Sequence, residues 1–588
     1  MADSTGEAYI MITTTCTHEE IQAAIAAGGI VEFAPGIYES AHYCITKPVH
    51  LIGNGAVLVG GKSIKWTRVR NNFSKEPEFL LCSDAPGKQP LRSLVVNGQL
   101  RKRCRLPETG YLQHESVFPY RWRGTTLGGW EKKPTEEELT TLRVEAGALD
   151  GITLDSAEIT VVHSWSDSLV RIEKVDGQKV TFDMPVEFPA GGFGRKTYCL
   201  WNVPEALKVE GTFYHDVEKG KLFYIPLPGE NENTIAYYPE YENIFYAEEP
   251  VNDVELEGFT LMCTEPSHVV AKFGAGLLSA AIELGEATSV KLHDLEITAV
   301  GGHAIRVTGK VNDMLVQYCH IHNVGAGALR TNVRNEDNKS EISDCHIHHV
   351  GLYYPSAIGI NTQDFHAYHN EIHDTSYSGI CVGGSDIVVE KNHIYNVMRI
   401  LNDGAACYSG MTERVTMRHN LVYGIQPKSG HRLRIAYYLD ELTRDWVVEQ
   451  NVALDCNFPN HNHMCGDHLY KENIFVNTQG GIFFELQDTK WKCNYIGNVF
   501  DARDEITVRM EEGEMGIFEE NRFRSADGVV RHSIISGGEI VGEKILEMSP
   551  TNQFVDAISF HRDTRIFTVG DLIIDLRDVG PRKRNNNQ

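Results

Sequence analysis

CHIHNVG at 319–325, CHIHHVG at 345–351, NEIHDTS at 370–376, NHIYNVM at 392–398 and NLVYGI at 420–425 are five versions of one phrase. A polar residue, usually Asn, precedes an aliphatic one and a short polar or aromatic tail. The phrase continues as NVALDC (451–456), NIFVNT (473–478), NVFDA (498–502) and NRF (521–523). Its leading Asn falls at 370, 392, 420, 451, 473, 498 and 521, at intervals of 22, 28, 31, 22, 25 and 23 residues. Leucine-rich repeats share such a period, but no L-x-x-L-x-L string is present. Short stretches such as VEKNHIYNV and VTMRHNLVYGI alternate apolar and polar residues between Gly, Asn and Asp turns. This pattern predicts an all-β chain wound as a right-handed parallel β-helix, each coil ~4.8 Å above the last. Asn at the bend would tolerate a left-handed backbone, and its amide would bond the Asn of the next coil. No coil is stable alone, but the stack is.

Working outward, Thr17 and Glu20 form a capping-box pattern opening HEEIQAAIAAGG, a short helix suited to covering the first strand edge. IVEFAPGIYE (30–39) and VHLIGNGAVLVGG (49–61) read as first coils, so 1–96 is assigned to the cap and the start of the stack. The Asn ladder is missing from 97–245, where AEITVVHSW, KVTFDMPVEF, KLFYIPLPGE and TIAYYPE are strands of another kind. That stretch is read as an inserted β-sandwich, because structureless loops of this length are rare in compact domains. The main helix then occupies 246–535, and 536–588 closes it and ends in a polar tail.

With 42% hydrophobic and 23% charged residues, the composition is that of an ordinary globular protein. Eighty acidic against 55 basic side chains give a net charge of −25, which argues against nucleic acid and, more weakly, against polyanionic substrates. No run of about 18 apolar residues predicts a membrane span. The opening MADSTGEAYIMITTT has no basic and apolar leader, and thirteen Cys are scattered without a CxxC pair. The expectation is a cytoplasmic protein with reduced thiols and no cofactor. The sequence leaves open whether chains pair into a homo-oligomer.

The two longest ladder intervals, 392–420 and 420–451, must expel residues as loops, and loops on a rigid scaffold carry sites. They contain LNDGAACYSG (401–410) and RIAYYLDELTRDW (434–446), with Asp403 in one coil and Asp440 and Glu441 in the next. Two carboxylates facing one groove are what glycosidases need, one to protonate the leaving oxygen and one to attack the anomeric carbon or activate water. In a straight register Asp403 and Asp440 stand six residues apart along the coil, so a bend, which Gly404 permits, is required for them to meet. Tyr408, Tyr437, Tyr438 and Trp446 are candidate sugar-stacking residues. Glu441, Glu485 and Arg432 are further substrate-binding candidates. Against all this stands the plain reading of Asp-Gly as a turn and Asp-Glu as a solvated surface pair. The histidines of the phrase (His320, His322, His346, His348, His349, His373 and His393) read as ladder residues stacked along one face, not as metal ligands. His349, beside Gly-Leu-Tyr-Tyr, is the one expected to reach a groove and touch substrate.

VNGQLRKRCRLP (96–107), EGTFYHDVEKGKLFYIPLPGE (210–230), NDGAACYS and YYLDE together resemble glycoside hydrolase family 141, over nearly the full chain. Relatives there read like NG…AR.P, GEWYLD…G.LYY.P, DGGAIY and YLDD. Family 120 β-xylosidases are similar more distantly, as β-helices interrupted by a sandwich. The resemblance implies hydrolysis of glycosidic bonds in oligosaccharides, with α-fucosidase and xylanase activities, and places a catalytic pair on Asp403 and Asp440. The chain departs from the pattern at Cys407 and Glu441, where relatives favour GGAIY and LDDG, and these departures bear on the sugar pocket. A β-helix polysaccharide lyase or uronate epimerase is the rival reading. Those reactions need a Lys, Arg, His or Tyr base, often with Ca²⁺, and here only Arg432 and Arg434 stand near the loops. A non-catalytic carbohydrate-binding β-helix is the third.

Overall fold

The computed structural model describes residues 9–584, except 75, 268–271, 336, 426–433, 488–491, 512–514, 537–538 and 556–558. The chain is a right-handed parallel β-helix built from three ladders of short strands. One coil runs through Thr416–Arg418, Leu421–Tyr423 and Arg434–Leu439. The next runs through Val447–Glu449, Val452–Leu454 and Phe458–His463, and each strand pairs in parallel with its counterpart. Alternate side chains point inward, so Val422, Val448, Ala453, Tyr470 and Phe475 join one continuous core. Rings meet along it from coil to coil, Phe475 tilted against Phe500 at 5.4 Å and Phe500 stacked on Phe523 at 5.3 Å. Each buried ring contributes about 1.5–3 kcal/mol, which is how coils of three short strands hold together.

The Asn residues mark the bend between the first and second ladders and form an unbroken buried chain. Asn370 Nδ2 donates to Asn392 Oδ1 at 3.0 Å, Asn392 to Asn420 at 3.0 Å, and Asn420 to Asn451 at 2.9 Å. Asn451, Asn473 and Asn498 continue it through Asn521 to Asn552, one coil beyond the last repeat phrase. Each Oδ1 also accepts the backbone N–H of the preceding Asn, as Asn451 does from Asn420 at 2.9 Å. The left-handed conformation lies one residue earlier than the sequence suggested. His369, Lys391, His419, Gln450 and Glu472 hold φ near +52° to +57°, and the Asn residues do not. The amide earns its place by hydrogen bonding rather than by tolerating strain.

Helix His18–Ala27 carries the capping box at Thr17 and Glu20. It is pinned to the first coils where Gln22 exchanges two hydrogen bonds with the backbone of Cys44, at 2.9 and 2.8 Å. The departure from the stack comes earlier than residue 97. Strand Val49–Val59 pairs directly with Val251–Met262, whereas Gly61–Ser63 already pairs antiparallel with Ala236–Pro239. The boundary therefore falls at Gly60, because the first coils lack Asn markers. Between these points the chain forms three small, mostly antiparallel sheets with apolar clusters of their own.

At the other end, the third ladder finishes in an antiparallel pair, Val530–Ser536 with Glu539–Ile545. A last three-stranded sheet, Ser559–His561, Ile566–Val569 and Leu572–Asp575, folds back along the helix. Its Phe567, Val569 and Ile574 cover Leu421, Val452, Ile474 and Val499 on the outer face of the second ladder.

Candidate active site

Asp403 and Asp440 line one cleft of about 330 Å³, formed where the third ladder meets the inserted sheets. Asp403 immediately precedes strand Gly404–Glu413 and holds φ +61°, the bend that a straight register lacked. Tyr377, from the previous coil, fixes that bend by donating its hydroxyl to the Asp403 carbonyl at 2.5 Å. Asp440 follows strand Arg434–Leu439 one coil later. Tyr408 and Tyr438 are register partners on these two strands and reach opposite ways. Tyr438 donates to Asp403 Oδ1 at 3.3 Å, and Tyr408 donates to Asp440 Oδ2 at 2.8 Å. Their rings meet edge to face, with centroids 5.2 Å apart, so the tyrosine pair links the two carboxylates.

The carboxylates are driven apart electrostatically. Burial, and then the charge of Asp440, pushes the Asp403 carboxyl up to about 7. Burial also acts on Asp440, but the hydrogen bond and charge of His463, with bonds from Tyr408 and the Glu441 N–H, hold it below its ordinary value. His463 Nδ1 lies 2.7 Å from Asp440 Oδ1. Burial opposes charge on His463, yet Asp440 and the other carboxylates hold it up at about 9. At neutral pH the site thus contains an imidazolium–carboxylate pair beside a carboxyl whose proton affinity is raised into the neutral range.

The inserted sheets supply the opposite wall with Trp122, Trp165, Phe188 and Glu187, and Phe273 adds an aromatic edge. Trp122 and Trp165 meet edge to face at 5.6 Å, and Phe188 packs on both. Burial raises the Glu187 carboxyl, and its Oε1 accepts the Phe273 N–H at 3.3 Å. Glu441 reaches the cleft, but both its oxygens are occupied. Oε1 accepts Thr125 N–H at 2.7 Å, and Oε2 accepts the N–H and the hydroxyl of Thr126, both at 2.6 Å. Glu441 therefore fastens the Gly124–Thr126 segment of the insertion onto the helix. Gly124 holds φ +129°, and a Cβ there would stand 3.1 Å from Glu441 Oε1. Replacing Glu441 by Gln turns one acceptor into a donor facing a donor, a mismatch of about 1–3 kcal/mol. The expected result is a rise in KM of about 3–10-fold with kcat within about threefold, read from steady-state kinetics.

Several candidates lie elsewhere. Trp446 is wholly buried in the helix core and donates Nε1 to Thr412 Oγ1 at 3.1 Å, so it stacks on no sugar. Tyr437 also points inward, its hydroxyl bonded to the Asn420 carbonyl. His349 belongs to the second ladder, packed on His348 and His373, away from the cleft. Glu485 occupies the column of Tyr408, Tyr438 and His461 but lies beyond the cleft, with His461 and Arg509 nearby. Arg432 falls outside the described residues. The sequence reading missed His463, Tyr377, Glu187 and the Trp122–Trp165 wall. For His463 a signal existed. It follows His461 by two in FPNHNH, on the strand after YYLDE, so period two places it beside Asp440.

A family model described as a right-handed beta helix region matches residues 280–431. No curated protein matches the chain. Among solved structures, a glycoside hydrolase superposes with TM-score 0.64 at 18% identity, over 79% of this chain and 96% of that one. XylC in complex with xylose gives 0.47 at 13% identity, over 87% and 77%. PfbA, a surface adhesin of Streptococcus pneumoniae, gives 0.34 at 13%, over 57% and 82%. The first of these shares the fold of the present chain.

Proposed function

We propose that the protein is a glycoside hydrolase in which Asp403 is the general acid and Asp440 its partner carboxylate. The observation that carries this reading is the pair itself, two carboxylates in one cleft whose proton affinities have been pushed in opposite directions. That split is how one site holds an acid and a base at the same pH. Asp403 protonates the leaving oxygen, and Asp440, aligned by His463 and Tyr408, acts on the anomeric carbon directly or through water. The aromatic wall offers apolar faces to a sugar ring. The family resemblance points to α-fucosides or xylosides as substrates. Aryl α- and β-glycosides of fucose, xylose, arabinose and galactose test this, with proton NMR of the first-formed anomer reporting retention or inversion. Hydrolysis of none of them, with an unsaturated product absorbing near about 235 nm from a uronate polymer, would move the assignment to a lyase. Against that rival, no Lys or Arg lines the cleft among the described residues to receive a substrate carboxylate.

The pH profile follows from the same pair. Activity should fall above about 7 as Asp403 loses its proton, and the acid limb, where Asp440 gains one, should lie below the ordinary carboxylate range. In Asp440→Asn the repulsion on Asp403 is gone, so the alkaline limb of the residual activity should move to lower pH. An unmoved limb would mean that the raised group is not Asp403. Thirteen cysteines, eleven of them buried and none in a disulfide, support placing the enzyme in the reducing cytoplasm, where short oligosaccharides would be its substrates.

A further inference from the structure

The outer face of the second ladder changes character halfway along. Its later coils present Leu421, Val452, Ile474 and Val499, all covered by the C-terminal sheet. Its earlier coils present imidazoles in two columns. His320 pairs in register with His346, and His322 with His348 and then His373. Rings stack along the columns, His322 on His348 at 5.0 Å and His348 on His373 at 4.8 Å. Across the columns nitrogens face each other. His346 Nε2 lies 3.0 Å from His373 Nε2, and His320 Nε2 lies 2.9 Å from His348 Nε2. One ring nitrogen from each of His346, His348 and His373 falls within 4.8 Å of the others.

We propose that His346, His348 and His373 form a binding site for a divalent transition-metal ion of the zinc class, separate from the cleft. Three imidazoles with an open fourth position are a familiar zinc ligand set, and bonds of about 2.0–2.1 Å at tetrahedral angles need nitrogens about 3.3 Å apart. The observed 3.0 Å contact of His346 with His373 opens to that spacing by a few tenths of an ångström. His373 is already oriented, since its Nδ1 donates to Asp374 Oδ2 at 2.7 Å, leaving the Nε2 lone pair toward His346. A carboxylate behind a ligating imidazole is the usual second support of such sites. The neighbouring set His320, His322 and His348 is equally compact, but His322 Nδ1 accepts the Asn323 amide and its Nε2 faces Glu296. His348, common to both sets, must give up a contact with His320 Nε2 at 2.9 Å or with His349 Nδ1 at 2.8 Å in either case, but His322 is in addition held on both sides, which favours the first set. Glu371 and Asp374 beside it suit a cation.

Equilibrium dialysis of the full chain against ZnCl₂ tests the site. One ion per chain is expected, with a Co²⁺ derivative showing the intense visible absorption of a tetrahedral complex. His348→Gln and, separately, His373→Gln should weaken binding at least tenfold (about 1.4 kcal/mol per tenfold), while His322→Gln stays within about threefold. Glycoside hydrolysis by His348→Gln should match the parent, because no residue of the cleft touches it. No saturable uptake up to about 1 mM Zn²⁺, or uptake unchanged in both His348→Gln and His373→Gln, overturns the proposal. Loss in His322→Gln and His348→Gln with His373→Gln unchanged would move the ion to the other set. Inhibition of hydrolysis at the concentration that fills the site would place it on Asp440, Glu441 and His463, which also converge.

Discussion

Replacing Asp403 or Asp440 with Asn is expected to lower kcat by a factor of about 10² or more while leaving the fold intact, because the amide keeps the shape and removes the proton chemistry. The two variants should fail differently. Asp403→Asn cannot protonate a leaving oxygen, so it should recover on aryl glycosides whose phenol leaves without help and stay poor on sugar–sugar bonds. On the proposed assignment Asp440→Asn removes the group acting at the anomeric carbon, so a good leaving group should bring no recovery. If Asp440 is a nucleophile, azide should rescue it and give a glycosyl azide of inverted configuration. Near-parental turnover in both variants, together with loss in Glu441→Gln, would remove the assignment. The strap bonds to Glu441 argue against that outcome, since neither of its oxygens is free.

The largest effect on stability is expected from Asn451→Leu. Asn451 donates to Asn473 Oδ1 at 3.1 Å and to the Met417 carbonyl at 2.8 Å, and accepts from the N–H and the amide of Asn420, both at 2.9 Å. Leu is close in volume but ends all four bonds, leaving the Asn420 N–H and the Met417 carbonyl buried without partners. At about 1–3 kcal/mol for each stranded group, the loss should be about 3–5 kcal/mol, read as a fall in the urea midpoint. Asn552 ends the ladder and is partly exposed, so water can replace its bonds. Asn552→Leu should cost under about 1 kcal/mol. Equal losses at the two positions would mean that the ladder acts through local turn geometry rather than through a buried relay.

The repeat made the stack legible because a parallel β-helix writes its coil into the sequence as a period. Asn at 370 through 521 could be counted, and the two longest intervals pointed to the loops that carry Asp403 and Asp440. The inward or outward direction of single aromatics was less legible. In RIAYYLDELTRDW, Tyr438 faces the cleft while Tyr437 and Trp446 are core, and alternation separates the two tyrosines only once the strand phase is known. The inserted sheets obey no period, so nothing linked Trp122, Trp165 or Glu187 to a cleft more than 200 residues away in sequence. Their position depends on the Glu441 clasp, a tertiary contact between residues 315 and 316 apart.

The antiparallel close of the third ladder bears on self-association. A parallel stack is open-ended in principle, since any coil presents the edge on which another could form, and cross-β fibrils grow in that way. Here the last strand of that ladder, Glu539–Ile545, runs against the direction of the thirteen before it. A second molecule could add there in parallel only by reversing its own polarity, and its other two ladders would then run the wrong way for Met515–Glu519 and Gln553–Phe554. Continuation of all three ladders in parallel register is thereby frustrated, although one edge remains exposed. The mismatch lies in strand direction and not in burial, since Ile540 and Val541 remain 53% and 64% exposed.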